Sequence, residues 1–257
     1  MKQYIKNLIL MIISLLVKQF SPVQRANILS NLIYLIAKSD TPANSIRFLL
    51  ETDNVLYSLE GKWALLYGDG IHTKHRHTDY HRFFIENLKP GEEVLDIGCG
   101  NGFLAYDMVT HVRDVSVVGI ELNEANIKLA KERYQHPNLK FICGDALKDL
   151  PQEEFDVIVF SNVLEHFENR VAFLRSVIKQ VSPKRLLLRV PVFERDWRVP
   201  LKKELEIDYR LDATHYIEYT YEEFVEELRQ AGLDITSAEF RWGEIWCVAE
   251  PLTLIEN

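Results

Sequence analysis

The chain has 257 residues, 47% hydrophobic and 26% charged, with 30 basic against 38 acidic side chains and a net charge of −8. That balance belongs to an ordinary globular protein and excludes disordered, collagenous and disulfide-built scaffolds. The acidic excess argues against a general nucleic-acid surface, which needs clustered Lys and Arg. Three isolated cysteines, Cys99, Cys143 and Cys247, supply no zinc set and suit a reducing, cytoplasmic setting.

At the start of the chain, Asn7 to Val17 is almost wholly apolar between Lys2, Lys6 and Lys18. It falls short of the roughly 20 residues a membrane span requires, and no small-residue cleavage site follows, so neither a span nor a cleaved signal peptide is expected. On a helical period Gln3, Asn7, Ser14 and Lys18 make a narrow polar stripe, leaving Leu8, Ile9, Ile12, Ile13 and Leu16 in a broad apolar wrap. The protein body, a second subunit or a membrane surface must cover it. Ser21-Pro22 and Thr41-Pro42 each put an N-cap residue before proline at the first helical position, so residues 1–85 read as a helical extension. Within it, His72, His75, His77 and His81 have spacings unlike a structural zinc site. With Lys74 and Arg76 this run is either a solvated face or one wall of a pocket meeting a substrate anion through His75 and Arg76.

From Glu93 the pattern becomes short β-branched runs alternating with amphipathic stretches, as a parallel sheet with crossover helices requires. Strands are expected at Val94–Ile97, Val115–Ile120, Leu139–Ile142, Phe155–Phe160 and Arg185–Val190, and helices over about 102–112, 124–135 and 169–180. The polar stretch from Pro191 to about Tyr219 is long for a loop and reads as a lid or small insertion. Thr220 and Glu223 make a capping box for a helix ending at Gly232, and Ile235–Phe240 with Ile245–Ala249 close the chain as a hairpin.

Chemistry concentrates at Val94-Leu95-Asp96-Ile97-Gly98-Cys99-Gly100-Asn101-Gly102, a strand entering a glycine-rich turn that opens a helix. An acid two residues before the first glycine would repel a pyrophosphate, whereas it suits a ligand with an ammonium and a positive sulfur. These residues resemble the class I S-adenosylmethionine-dependent methyltransferases, in particular the small-molecule branch with quinone- and sugar-type relatives. Three further segments agree in order. Glu121, ending Gly119-Ile120-Glu121 with Leu122 beside it, resembles the family's cofactor-ribose ligand, and Asp145 with Ala146 resembles the adenine-contacting pair. Ser161-Asn162-Val163-Leu164-Glu165-His166 resembles the segment that lines the methyl group.

The resemblance implies a doubly wound, seven-stranded, mostly parallel α/β sheet over 86–257, Rossmann-like, with the helical extension over 1–85. It implies S-adenosylmethionine as cofactor, held by Asp96, Gly98, Cys99, Gly100, Gly102, Glu121, Leu122, Asp145, Ala146 and Asn162. His166 and His215 are the candidate catalytic residues, and Arg195 and Trp197 after the fifth strand join His75 and Arg76 as candidate acceptor ligands. Some relatives bind a divalent ion through an E-x-x-E-H segment and a later histidine; here Asn162 replaces the first acid, so no metal is expected. The expected reaction is methyl transfer to a small-molecule or glycan-type acceptor, most readily at oxygen, with peripheral membrane contact or a homodimer through the N-terminal helix as possible associations. The alternatives are a membrane-associated lipid or quinone methyltransferase and a catalytically silent module that binds a partner protein.

Overall fold

The structure, a computed structural model, describes residues 2–252; in the first helix the side chains of residues 2, 5, 6, 8–10 and 12 lie outside the description, and with them most of the apolar wrap expected on Leu8, Ile9 and Ile12. The chain forms two compact units, 1–63 with 204–207 and 64–203 with 208–257.

The first unit is helical: α1 (Lys2–Val17), α2 (Pro22–Lys38) and all but the end of α3 (Pro42–Tyr67). Ser21 caps α2 reciprocally, its Oγ accepting from Gln24 N at 3.3 Å while Ser21 N donates to Gln24 Oε1 at 2.9 Å. Leu50 of α3 is the sole buried residue among the described side chains of these three helices.

In the second unit α4 (Lys74–Thr78) and α5 (Tyr80–Glu86) precede β1 (Glu93–Ile97), α6 (Phe103–His111), β2 (Ser116–Glu121), α7 (Glu124–Arg133), β3 (Leu139–Cys143) and β4 (Val157–Ser161). There follow α8 (Arg170–Val181), β5 (Arg185–Pro191), α9 (Arg198–Glu204), α10 (Tyr221–Gln230) and the hairpin β6 (Leu233–Arg241) and β7 (Glu244–Pro251). One seven-stranded sheet results, in the order β3-β2-β1-β4-β5-β7-β6, with β7 antiparallel to β5 and β6. The expected hairpin turns on Trp242 and Gly243, both at positive φ (56° and 76°), as the twist of a two-residue loop demands. Strand order reverses between β1 and β4, so a crevice opens at the carboxyl ends of those two strands.

Apolar side chains alternate between the faces. Leu95, Ile97, Ile158, Phe160, Leu186 and Leu188 meet Phe173, Leu174 and Val177 of α8 and Phe224 and Leu228 of α10 on one side. Val94, Val117, Val157, Val159 and Leu187 meet Phe83, Phe84, Met108 and Ile127 on the other. Burial on both faces explains why these strands read as continuous apolar runs. Tyr80, Phe83 and Phe84 are core residues of the sheet, so α4 and α5 pack with it.

One polar clamp ties α5 to the sheet. The guanidinium of Arg185 donates to Glu92 Oε1 at 2.7 Å, to Glu92 Oε2 at 2.6 Å and to Asn87 O at 2.6 Å, with both side chains buried. Removing one partner strands the other charge away from water. Glu92→Ala is therefore expected to lower unfolding free energy in urea by about 3–5 kcal/mol.

Candidate cofactor and active site

The turn between β1 and α6 carries Gly98, Gly100 and Gly102 at φ of 72°, 56° and 79°. Left-handed backbone favours glycine, and space enforces it at two of them. A Cβ on Gly98 would stand 2.5 Å from Val163 Cγ2, and one on Gly102 would stand 2.5 Å from Phe141 Cζ. Cys99 turns inward and is buried, its Sγ 2.7 Å from where a Cβ on Gly119 would be, and burial pushes its thiol pKa up. It therefore packs beneath the turn and contributes backbone alone. Gly98 N donates to Ile120 O at 2.8 Å, and Gly100 N donates to Glu121 Oε2 at 3.1 Å while Asn123 N donates to Glu121 Oε1 at 2.8 Å. Glu121 thus closes a cradle of backbone, and its remaining lone pairs are available to vicinal hydroxyls.

Asp96 lies beneath this cradle, 1% exposed, and its Oδ2 has no hydrogen-bond partner among the described residues. Burial, reinforced by the charge of Glu121, pushes its pKa up to about 8. An orphaned carboxyl of this kind is suited to a cationic group presented in the cradle. Leu122 stands 73% exposed at the rim. Asp145 accepts from Leu147 N at 3.0 Å and Lys148 Nζ at 2.8 Å, contacts that hold its pKa below the usual carboxylate value and leave one lone pair on each oxygen free. Ala146 is half-buried behind it.

After β4 the chain passes Asn162 at a left-handed φ of 57° and enters a 3-10 turn, Leu164–His166. The two candidate histidines, His166 and His215, come together, ring centroids 4.6 Å apart and nearly perpendicular. Thr214 Oγ1 donates to Asp212 Oδ1 at 2.6 Å and lies 2.9 Å from His166 Nδ1. With its hydroxyl proton committed, Thr214 accepts from Nδ1–H, which leaves the lone pair on Nε2. The same logic holds for His215, whose Nδ1 is 2.9 Å from buried Glu218 Oε1. Burial first, and His215 second, lower the pKa of His166, so its imidazole is neutral at physiological pH. Glu165 lies beside the two histidines, fully buried, with neither oxygen hydrogen-bonded among the described residues and Oε1 4.0 Å from His215 Nε2. Burial raises its pKa to about 7. One ligand atom each from Glu165, His166 and His215 fall within 4.8 Å of one another, so the trio is also able to hold a metal ion.

Several predicted ligands are already engaged. Asn162, expected at the cofactor, donates from Nδ2 to Glu244 Oε1 at 3.1 Å and accepts from Arg189 Nε at 3.3 Å, bonds that fix the loop. Arg195, expected at the acceptor, is spent on Glu218 Oε2 at 2.5 Å, Val192 O at 2.9 Å and Tyr209 O at 2.6 Å. It pins the post-β5 segment because a buried acid there needs a cation. His75 has Nδ1 2.8 Å from both Tyr80 OH and His81 Nε2, in a chain continued by His81 Nδ1 to Asp107 Oδ2 at 2.6 Å. Burial and the neighbouring His81 lower the His75 pKa to about 3, so it offers a substrate anion no charge. Arg76 lies 5.6 Å over the Tyr67 ring, and Trp197 is 70% exposed.

Sequence reasoning passed over Arg189. It is 2% exposed on β5, lies 3.6 Å over the Tyr80 ring, pairs with Glu244 Oε2 at 3.0 Å, and keeps Nη1 without a hydrogen-bond partner among the described residues. The available signal was a lone arginine inside the buried run Leu186-Leu187-Leu188-Arg189-Val190.

A doubly wound sheet with a glycine cradle and a strand-end acid at its switch point defines the class I nucleoside-cofactor domain. The chain belongs to the methyltransferase domain family, whose profile matches residues 88–236. It is 36% identical over 109 residues to phthiotriol/phenolphthiotriol dimycocerosates methyltransferase of Mycobacterium tuberculosis, covering 40% of this chain and 39% of that protein. To phosphoethanolamine N-methyltransferase 1 of Arabidopsis thaliana it is 35% identical over 145 residues, covering 53% of this chain and 28% of that one. The chain thus matches well under half the length of either relative. The solved magnesium protoporphyrin IX methyltransferase of Synechocystis PCC 6803, with bound SAH, shares the fold at a TM-score of 0.55 and 17% identity, covering 68% of this chain and 83% of that chain.

Proposed function

We propose that this chain binds S-adenosylmethionine in the glycine cradle and transfers its methyl group to an oxygen of a small-molecule or glycan-type acceptor, with His166 as general base. The observation that carries this reading is the conjunction of a left-handed three-glycine turn closed by Glu121 with a buried Asp96 whose Oδ2 has no hydrogen-bond partner among the described residues. When bound, the cofactor supplies an activated methyl group on a positive sulfur. Glu121 accepts from the ribose hydroxyls, Asp96 offsets the cationic tail, and the glycines let backbone approach the ligand closely. His166 Nε2 takes the hydroxyl proton of the acceptor, with His215 and Glu165 behind it. By their names, the two relatives above act on a dimycocerosate and on phosphoethanolamine, which supports a small or lipid acceptor.

A second reading rests on the same trio: Glu165, His166 and His215 ligate a divalent cation that activates the acceptor oxygen. Chelation separates the two, since activity lost in EDTA and restored by a divalent metal favours the cation. The test of the main reading is calorimetric titration of S-adenosylmethionine and its demethylated product into the wild-type chain, followed by transfer of a labelled methyl group to candidate alcohols. Micromolar binding is expected. A folded protein that binds neither compound overturns the reading and favours a silent module.

A further inference from the structure

The three N-terminal helices leave an apolar surface that the sheet's chemistry does not explain. In α2, Ile28, Leu29, Leu32 and Ile36 lie on one arc of the helix and are 43% to 52% exposed. Gln24, Asn27, Asn31 and Lys38 line the other arc, so the helix is amphipathic with its apolar side uncovered. The described side chains of α1 repeat this, with Met11, Ile13, Leu15 and Leu16 about half exposed. Clustered exposure of this kind marks an interaction surface.

Charge identifies what covers it. Residues 1–38 contain Lys2, Lys6, Lys18, Arg25 and Lys38 and no Asp or Glu, whereas the rest of the chain has 25 basic and 38 acidic side chains. A second copy docking this segment against itself would bring like charges together. An anionic lipid surface meets the apolar arc with acyl chains and the lysines with headgroups, and it repels the acidic remainder. No helix among the described residues is long and apolar enough to cross a membrane. The 16 residues of α1 reach about 24 Å, short of a hydrocarbon core of roughly 30 Å.

We propose that α1 and α2 lie in the interface of an anionic bilayer and hold the catalytic unit at its surface. The inference stands apart from the methyltransferase reading, because it uses no residue of the cofactor site. Its test is flotation of the full chain with vesicles of phosphatidylcholine containing about 30% phosphatidylglycerol, against pure phosphatidylcholine. Binding is expected on the anionic vesicles and at least about tenfold weaker on the neutral ones or in high salt. Ile28→Glu with Leu32→Glu should remove it, and Lys18→Gln with Arg25→Gln and Lys38→Gln should weaken it about tenfold or more. Circular dichroism and cofactor titration on the same samples report that the variants are folded. Equal binding to neutral vesicles, or no flotation of folded wild type, overturns the proposal. So does a dimer that dissociates in the Ile28→Glu, Leu32→Glu variant without flotation, which would make a second copy the occupant.

Discussion

His166→Ala is expected to lower kcat by about 10²–10⁴ while leaving the Kd for S-adenosylmethionine unchanged, the span a positioned general base contributes. The ring stands after β4 beside the crevice, its Nδ1 tied to Thr214 and through it to Asp212, so Nε2 carries the lone pair. Rates at saturating donor check the split between kcat and binding. The proposed base acts as the neutral imidazole and burial lowers its pKa, so kcat should fall with decreasing pH through a limb below the ordinary histidine value of 6.5. The charge of Asp212 acts in the opposite direction on His166. Asp212→Asn should therefore move that limb to still lower pH. A limb that stays in place or rises assigns the titration to another group.

Asp96→Ala is expected to weaken S-adenosylmethionine binding by about 10- to 100-fold, the loss of a hydrogen bond to a charged group of about 1.5–3 kcal/mol. The free protein keeps Asp96 protonated at neutral pH because burial raises its pKa to about 8. A bound ammonium or sulfonium favours the carboxylate, so about one proton should leave per cofactor bound near pH 7. Calorimetry in buffers of different ionisation enthalpy measures that number, and Asp96→Asn should bring it close to zero. The sign for stability follows from the same shift. A carboxyl whose folded pKa exceeds its unfolded value of 3.8 supports the fold at low pH and loses that contribution as pH rises towards 8. Glu165, raised from 4.5 to about 7, acts in the same direction. Thermal unfolding of the free chain should give a lower Tm at pH 8 than at pH 5, with cofactor reducing the difference. No proton release would mean that the orphaned Asp96 does not meet a charged ligand.

Both predictions draw on groups whose environments differ from what their residue types suggest. Glu165 was legible only as the neighbour of His166, yet it is fully buried with neither oxygen hydrogen-bonded among the described residues. Glu218, inconspicuous in a polar stretch, accepts from His215, from Arg195 and from Leu211 N at 2.7 Å. It thereby fixes a histidine and engages Arg195 at once. Arg195 and Asn162 both carry side-chain partners that their positions along the chain do not announce.

The strands, their order of appearance, the glycine turn and the acids at the ends of β1, β2 and β3 could be read from the chain because each depends on neighbours a few residues away. A short continuous apolar run writes a strand buried on both faces, a capping box writes a helix start at Thr220, and left-handed turns write glycine at 98, 100 and 102. His166 and His215, 49 positions apart, were each legible as candidate catalytic residues from the family resemblance. Tertiary structure alone decided which polar groups are satisfied, because that depends on partners far apart in sequence. Arg189 meets Tyr80 and Glu244 across the sheet. Asp96 and Glu165 owe their raised pKa values chiefly to burial, and burial belongs to the packed molecule rather than to any segment of it.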